Sequence, residues 1–347
     1  MEPLRLTVFD VGDGLCLLVR SPGGRYGVID TCVRPGGGVH PILDHLAAEG
    51  VRELSFLCLT HPHRDHFTGM LPLIEQRDCR ILEFWHTVSD LDLVMSFWNQ
   101  VPEYTGWDDL SAHYARENVE ELVRALSAVF ADTGIRKRRL HCGVRLPKLD
   151  GVDVHCLGPH PARQESYVAQ LADRGGRFET LDKRHVNDLS AVLLLQYGSA
   201  AVLLPADLPG GNWEDIMQEL SAIGCETPTA ARVFGAAHHG SVDGIVPGRF
   251  LRRLVVQSGA CVLVSAGGGL RPSAEFLTIA MSLGNVWCTR QPQALRAAML
   301  RDVPDPLTVS GLDMASQGTQ APVHHGGDIV VEITATSHVS VNGLPVG

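Results

Sequence analysis

Apolar residues fall in short runs through the first sixty positions. Residues 6–11 read as a strand, and 15–19 and 26–29 as two more. Gly12-Asp13-Gly14 and Ser21-Pro22-Gly23-Gly24 supply the turns between them. A glycine-rich loop at 36–38 precedes a helix near 41–48. Residues 54–59 are almost continuously apolar, as expected of a strand covered on both faces.

The pattern changes over residues 87–140. Val119, Leu122, Val123, Leu126, Val129 and Phe130 recur at helical spacing, which predicts a helical insertion or lid. Strands return at 152–157, 190–196, 201–204, 233–237 and 261–265. Helices are expected near 213–222, 248–257 and 273–283, and a closing hairpin at 328–334 and 338–341. The stretch 304–327, rich in Gly, Pro, Ser and Thr, reads as a loop.

Composition narrows the class. The chain has 347 residues, 45% hydrophobic and 20% charged, which is ordinary for a globular protein; 36 glycines suit many tight turns. The net charge of −10 argues against a protein that coats nucleic acid generally, because non-specific affinity comes from neutralising phosphates. It leaves open a local basic patch or bound cations. The 9 cysteines form no Cys-x-x-Cys pair and mostly lie in apolar runs, the usage of reduced, packed thiols. The opening run lacks the features of a signal peptide, and no stretch reaches membrane-spanning length, so a cytoplasmic protein without a membrane partner is expected.

The densest chemistry is Thr60-His61-Pro62-His63-Arg64-Asp65-His66-Phe67-Thr68-Gly69, directly after the apolar run 54–59. In an extended loop His61 and His63 can converge on one cation while Asp65 and His66 turn toward a second. Neutral imidazole with carboxylate suits zinc, and also manganese or iron. A histidine-rich surface loop is the plainer reading, but H-x-H-x-D-H behind a strand is rare by chance.

This motif resembles the signature of the metallo-β-lactamase superfamily. Further segments, in order, resemble its ComEC-like branch, which includes the hydrolase domain of a DNA-uptake competence protein. They are Phe9-Asp10-Val11-Gly12-Asp13-Gly14, Val28-Ile29-Asp30-Thr31, Asn187-Asp188-Leu189-Ser190, Leu204-Pro205-Ala206-Asp207, His238-His239-Gly240-Ser241, and Ser265-Ala266-Gly267 followed by Arg271-Pro272. The resemblance implies an α/β fold: an αββα sandwich, two sheets face to face with helices outside, as one domain over 1–347 with the insertion at 87–140. It implies two divalent cations, zinc first and manganese second. His61 and His63 would hold the first, Asp65 and His66 the second, and Asp207 would bridge them. One of His238 and His239 would complete the second site; the sequence does not choose.

Several positions depart from the family pattern. The branch lacks a further histidine that many relatives place on the first metal; His185, Asn187 and Asp188 lie near that region here. Ala206 stands where the family has Gly before the bridging Asp. Arg271 replaces a late histidine and could hold a phosphate or carboxylate. Cys32 stands where Gly usually follows Asp-Thr.

The expected activity is a two-metal phosphodiesterase or nuclease in which a metal-bound hydroxide attacks phosphorus. Asp65 would orient it, and the spare one of His238 and His239, or His185, would protonate the leaving group. Ser241, with the amides of Gly240 and Ser241, would bind an oxyanion. The basic run Arg136-Lys137-Arg138-Arg139, with Arg145 and Lys148, is the candidate track for a nucleic-acid or nucleotide substrate, and Trp85, Trp98, Tyr104 and Trp107 are candidate base-stacking residues. Hydrolysis of a small ester, thioester or lactone is the alternative. A third possibility is a non-catalytic, metal-stabilised scaffold that meets a protein partner through its helical insertion.

Overall fold

The computed structural model describes residues 2–33, 40–76, 78–88, 109–173, 186–222, 230–256, 258–266, 271–292 and 323–346. It is a mixed α/β structure built on two sheets. The first contains β1 (Leu4–Val8), β2 (Leu17–Arg20), β3 (Tyr26–Ile29), β4 (Glu53–Leu59), β5 (Arg80–Ile81), β6 (Glu83–His86), β7 (Arg136–Arg139), β15 (Ile329–Ile333), β16 (Val339–Val341) and β17 (Leu344–Val346). Its order is β17-β16-β15-β1-β2-β3-β4-β6-β7, with β5 beside β4. The second contains β8 (Val152–Gly158), β9 (Val192–Tyr197), β10 (Ala200–Leu204), β11 (Val233–Gly235), β12 (Ala260–Val264), β13 (Gly284–Cys288) and β14 (Val323–His325), in the order β14-β13-β12-β11-β10-β9-β8.

Both sheets are mixed. In the first, β3, β4, β6 and β7 run parallel; in the second, β10 to β14 do. The parallel strands explain the continuous apolar runs. Along β4, Phe56 and Cys58 face a core shared with the second sheet, whereas Leu54, Leu57 and Leu59 face helices outside. Along β12, Cys261 and Leu263 point inward, and Ala260, Val262 and Val264 outward. Each strand is thus buried on two sides, which erases the alternation that would mark a half-exposed strand.

Helices cover both outer faces. On the first sheet lie α1 (Pro41–Ala48), α2 (Arg64–Phe67), α3 (Met70–Glu75) and α4 (Asp109–Ala131). On the second lie α6 (Trp213–Ala222), α7 (Gly248–Leu254) and α8 (Ala274–Leu283); α5 (Pro161–Asp173) follows β8. Of the residues read as an apolar stripe in α4, Leu122, Leu126 and Val129 are buried, with Ala125 between them, and Val123 and Phe130 are partly buried; the side chain of Val119 lies outside the described residues. Residues 136–139, assigned from sequence to the helical segment, instead form an edge strand parallel to β6. The closing hairpin is present as β15 and β16, and β15 pairs with β1, tying the end of the described chain to its start. No helix among the described residues is long and apolar enough to cross a membrane.

Candidate metal centre

Five loops meet at one edge of the two sheets, each leaving the carboxyl end of a strand. Asp30 follows β3, His61 to His66 follow β4, Asp207 follows β10, His238 and His239 follow β11, and Ser265 follows β12. Parallel neighbours deliver their loops to the same side, so residues far apart in sequence converge there. Backbone bonds lock the loops together: Leu15 N donates to Asp65 O at 3.0 Å, Ala191 N to Thr60 O at 3.0 Å, and His238 N to Ala206 O at 2.9 Å. The Ser265 hydroxyl donates to Gly14 O.

Asp207 lies at the centre, with its side chain 2% exposed. Its Oδ1 is 3.2 Å from His66 Nε2 and 3.7 Å from His239 Nε2; its Oδ2 is 3.8 Å from His61 Nε2. His61 Nε2 in turn lies 3.2 Å from His63 Nδ1, and His239 Nε2 lies 3.5 Å from Asp65 Oδ2. Two groups result, Asp65–His66–Asp207–His239 and His61–His63–Asp207, each with its donor atoms within 4.8 Å of one another. Donors sharing a tetrahedral zinc at about 2.1 Å stand about 3.4 Å apart, close to these separations.

The chemistry of the donors fits cations as well as their spacing does. His66 Nε2 and His239 Nε2 are buried without a hydrogen-bond partner. Such orphaned groups are normally avoided because desolvation is uncompensated. Their opposite ring nitrogens are engaged: His66 Nδ1 donates to Asp30 Oδ2 at 2.6 Å, and His239 Nδ1 to Ser265 O at 3.2 Å. That arrangement leaves each Nε2 lone pair for a cation. His61 follows the same plan, since its Nδ1 lies 3.2 Å from Thr60 Oγ1, whose own proton goes to Asp30 Oδ2 at 2.5 Å.

Sequence reasoning missed the part played by Asp30. This fully buried carboxylate takes the Thr60 amide at 2.8 Å, the Thr60 hydroxyl and His66, so it orients a histidine in each group. The available signal was an acid closing the apolar run at β3. Its backbone is left-handed, with φ of 56°.

Electrostatics follow from burial and neighbours. Burial above all, then the charge on His66, holds His61 well below the usual imidazole range, and burial brings His63 down to about 4. Burial also opposes charge on His66, but Asp207 and Asp30 outweigh it and raise His66 well above its ordinary value. Against their own burial, Asp65 is lowered by His239 and His66, and Asp207 by His66 and His239.

Of the paired histidines, His239 is the one that groups with Asp65 and His66. Both adopt left-handed backbone, φ 48° at His238 and 55° at His239, and so does Ala206, at 48°. The last value explains why Gly suits that position. Cys32 also gains an account. Its Sγ fills the space over Gly14, where any Cβ would collide with it, and accepts from Thr68 Oγ1 at 3.5 Å. Burial raises the Cys32 thiol, which keeps it protonated.

Other expected residues are placed less centrally. The Ser241 hydroxyl donates to Asp243, and its amide donates to His238 O at 2.9 Å, so both of its expected oxyanion donors are already engaged. Asn187 is buried with Oδ1 unpartnered. Asp188 accepts from Asn212 Nδ2 at 2.6 Å. Arg271 is half-buried beside the paired histidines: Pro272 packs on Gly240, and Ser273 N donates to Gly240 O at 2.9 Å. His185, Gly267, Trp98, Tyr104 and Trp107 lie outside the described residues.

The basic run is substantially committed. Arg138 pairs with Glu83 at 2.6 Å, Arg136 reaches the same carboxylate at 3.6 Å, and Arg139 donates to Gln164 at 2.7 Å. Lys148 pairs with Asp153 at 2.6 Å. Trp85 is buried and stacked on Phe56, with ring centroids 3.9 Å apart, so it anchors the core and is closed to a base. Every described cysteine is a free thiol. Comparison with family models and with curated proteins finds no match to this chain.

Proposed function

We propose that this protein is a metal-dependent hydrolase of the metallo-β-lactamase type, acting as a two-metal phosphodiesterase. One observation carries the reading: the two oxygens of Asp207 face separate His/Asp groups, as a carboxylate bridging two cations would. Two divalent ions there, zinc or manganese, would supply Lewis acidity and an activated water.

The chain's own residues would do the rest. His61, His63 and Asp207 hold one ion, and Asp65, His66, Asp207 and His239 the other. Asp65, 30% exposed where Asp207 is 2%, would accept a proton from the attacking water. Arg271 adds a cation beside the paired histidines, suited to a phosphate oxygen. Arg139 lies level with Leu59, through His86, across two parallel strand spacings. The basic edge strand therefore ends at the same rim as the metal loop, about 10 Å to one side. That placement favours a phosphate ester, and a nucleotide or nucleic acid within that class.

A second reading, hydrolysis of a small ester, thioester or lactone, has one feature in its favour. An apolar pocket lined by Leu15, Leu17, Ile29 and Leu263 opens beside Asp207 and His239.

The test is hydrolysis of bis-p-nitrophenyl phosphate and of labelled single- and double-stranded DNA and RNA, metal-free and with zinc or manganese. Metal-dependent cleavage abolished by Asp65→Ala and by Asp207→Ala is expected. Full activity in either variant overturns the assignment. Cleavage of p-nitrophenyl carboxylate esters run beside that panel, with no phosphodiester cleaved, moves the protein to the second reading.

A further inference from the structure

We propose that His238 is the fourth protein donor of the His61–His63–Asp207 half of the centre, and that Asp243 is the residue that positions it. The inference rests on the two-metal reading and concerns how its weaker half is completed.

The two halves are unequal. Asp65, His66, Asp207 and His239 make four donors, which is what a closed zinc site requires; His61, His63 and Asp207 make three. His238 stands against the carboxylate of the deficient half, outside the 4.8 Å set of its three donors. Its Nε2 is 3.6 Å from Asp207 Oδ2, the oxygen that also faces His61 Nε2 at 3.8 Å. His239 Nε2 is 3.7 Å from the other oxygen, Oδ1. Consecutive histidines thus address opposite oxygens of one carboxylate. Each oxygen then has two imidazoles: His66 and His239 on Oδ1, His61 and His238 on Oδ2.

His238 is also held as the ligand histidines are. Its Nδ1 lies 3.0 Å from Asp243 Oδ1, and a carboxylate there places the ring proton on Nδ1 and the lone pair on Nε2. The same ring orientation is imposed on His66 by Asp30 and on His239 by Ser265 O. Asp243 is itself fixed by the Ser241 hydroxyl. The turn is shaped for this purpose at some expense of backbone freedom. Two successive non-glycine residues, His238 and His239, are left-handed, a conformation that persists where the surroundings demand it. A histidine needed only on the surface would require neither that turn nor a side chain reduced to 12% exposure.

The experiment measures zinc bound per chain, by elemental analysis after dialysis and by titration against a chromophoric chelator, on the full-length protein. The variants are His238→Asn, Asp243→Asn and, as a reference for the other half, His239→Asn. Asparagine tolerates left-handed backbone, so the turn is kept while the donor is shortened. Wild type should bind two zinc ions. His238→Asn should keep one tightly and bind the other at least 100-fold more weakly, and Asp243→Asn should weaken that same ion 10- to 100-fold. Combining His238→Asn with His61→Ala should remove no further ion, because both act on one half; combining it with His239→Asn should disturb both. Two ions at wild-type affinity in His238→Asn, with an unchanged circular dichroism spectrum, overturns the inference and leaves the two-metal reading intact. Fewer than two ions in wild type overturns both. If His238→Asn fails to fold, Asp243→Asn decides by the same readout.

Discussion

Replacing Asp30 by Asn isolates the residue that ties the two halves together. Asparagine has nearly the same shape and tolerates φ of 56°, so the change removes charge without forcing the backbone. Asp30 receives three donors: the Thr60 amide at 2.8 Å, the Thr60 hydroxyl at 2.5 Å and His66 Nδ1 at 2.6 Å. An amide offers one oxygen and one NH2, so at least one of these donors must face another donor. Loss of a charge-assisted bond of this kind is about 1.5–3 kcal/mol. Removing the carboxylate behind a ligand histidine weakens metal by about 10- to 100-fold.

The direct partner, His66, belongs to the half that contains Asp65 and His239, and that ion should be affected most. His61 is reached only through Thr60, so its ion should be affected less. A second effect has the opposite sign. In wild type Asp207 and Asp30 raise His66, and zinc must displace its proton. The variant loses one of those anions, so proton competition weakens. The ratio of variant to wild-type Kd should therefore be largest near pH 8 and shrink toward pH 6. Competitive zinc titration at both pH values measures it. Kd within twofold of wild type at pH 8 would refute the argument that Asp30 orients the ligands.

Three further outcomes follow from the same structure. Ala206→Gly should raise stability by about 1 kcal/mol, because φ of 48° strains a Cβ and glycine has none; a lowered Tm counts against that reading. Gly240→Ala should lower Tm and loosen the ion held by His239, since the new Cβ would meet Pro272 Cβ at 2.6 Å and Phe276 Cδ1 at 2.8 Å with φ at 77°; differential scanning calorimetry with zinc analysis checks both. His86, flanked by Phe84 and Phe130, is held by burial at about 4, below its ordinary 6.5. Its neutral form contributes stability that is complete above pH 6.5 and is lost as pH falls toward 4, about 3 kcal/mol at most. Urea unfolding of His86→Leu should show a shallower loss between pH 7 and pH 4.5, and an unchanged slope would refute the burial argument.

What could be read from the chain depended on how local each signal was. The loop from His61 to His66 is legible because its four donors fall within six positions behind an apolar strand. Asp207 and the paired histidines stood out only by their order within a family pattern. Choosing His239 over His238 for the second group required the backbone turn, which residue types do not encode. Asp30 was passed over because Thr60 and His66 lie 30 and 36 positions away. The run Arg136–Arg139 defeated periodicity for a different reason. Four basic residues have no apolar phase to reveal a strand, and its partner Glu83 lies 55 positions back from Arg138. The pairing of β15 with β1 spans nearly the whole chain and has no local signature at all.

The arrangement also explains why so much polarity is tolerated inside the fold. Asp30, His61, His66, Asp207 and His239 are all buried, and two of their ring nitrogens have no partner. Isolated, each would oppose folding, because a buried polar group without a partner loses its hydration for nothing. Together they form a lattice in which each histidine gives one nitrogen to a fixed acceptor and turns the other toward Asp207. Cations at the two groups, as proposed above, would satisfy the nitrogens turned that way, and Asp30, Thr60, Ser265 and Asp243 stand behind the histidines. Rigid support of this kind serves no purpose for packing, which apolar residues would do better at these positions. It matters where donor atoms must be held in place before the ion arrives.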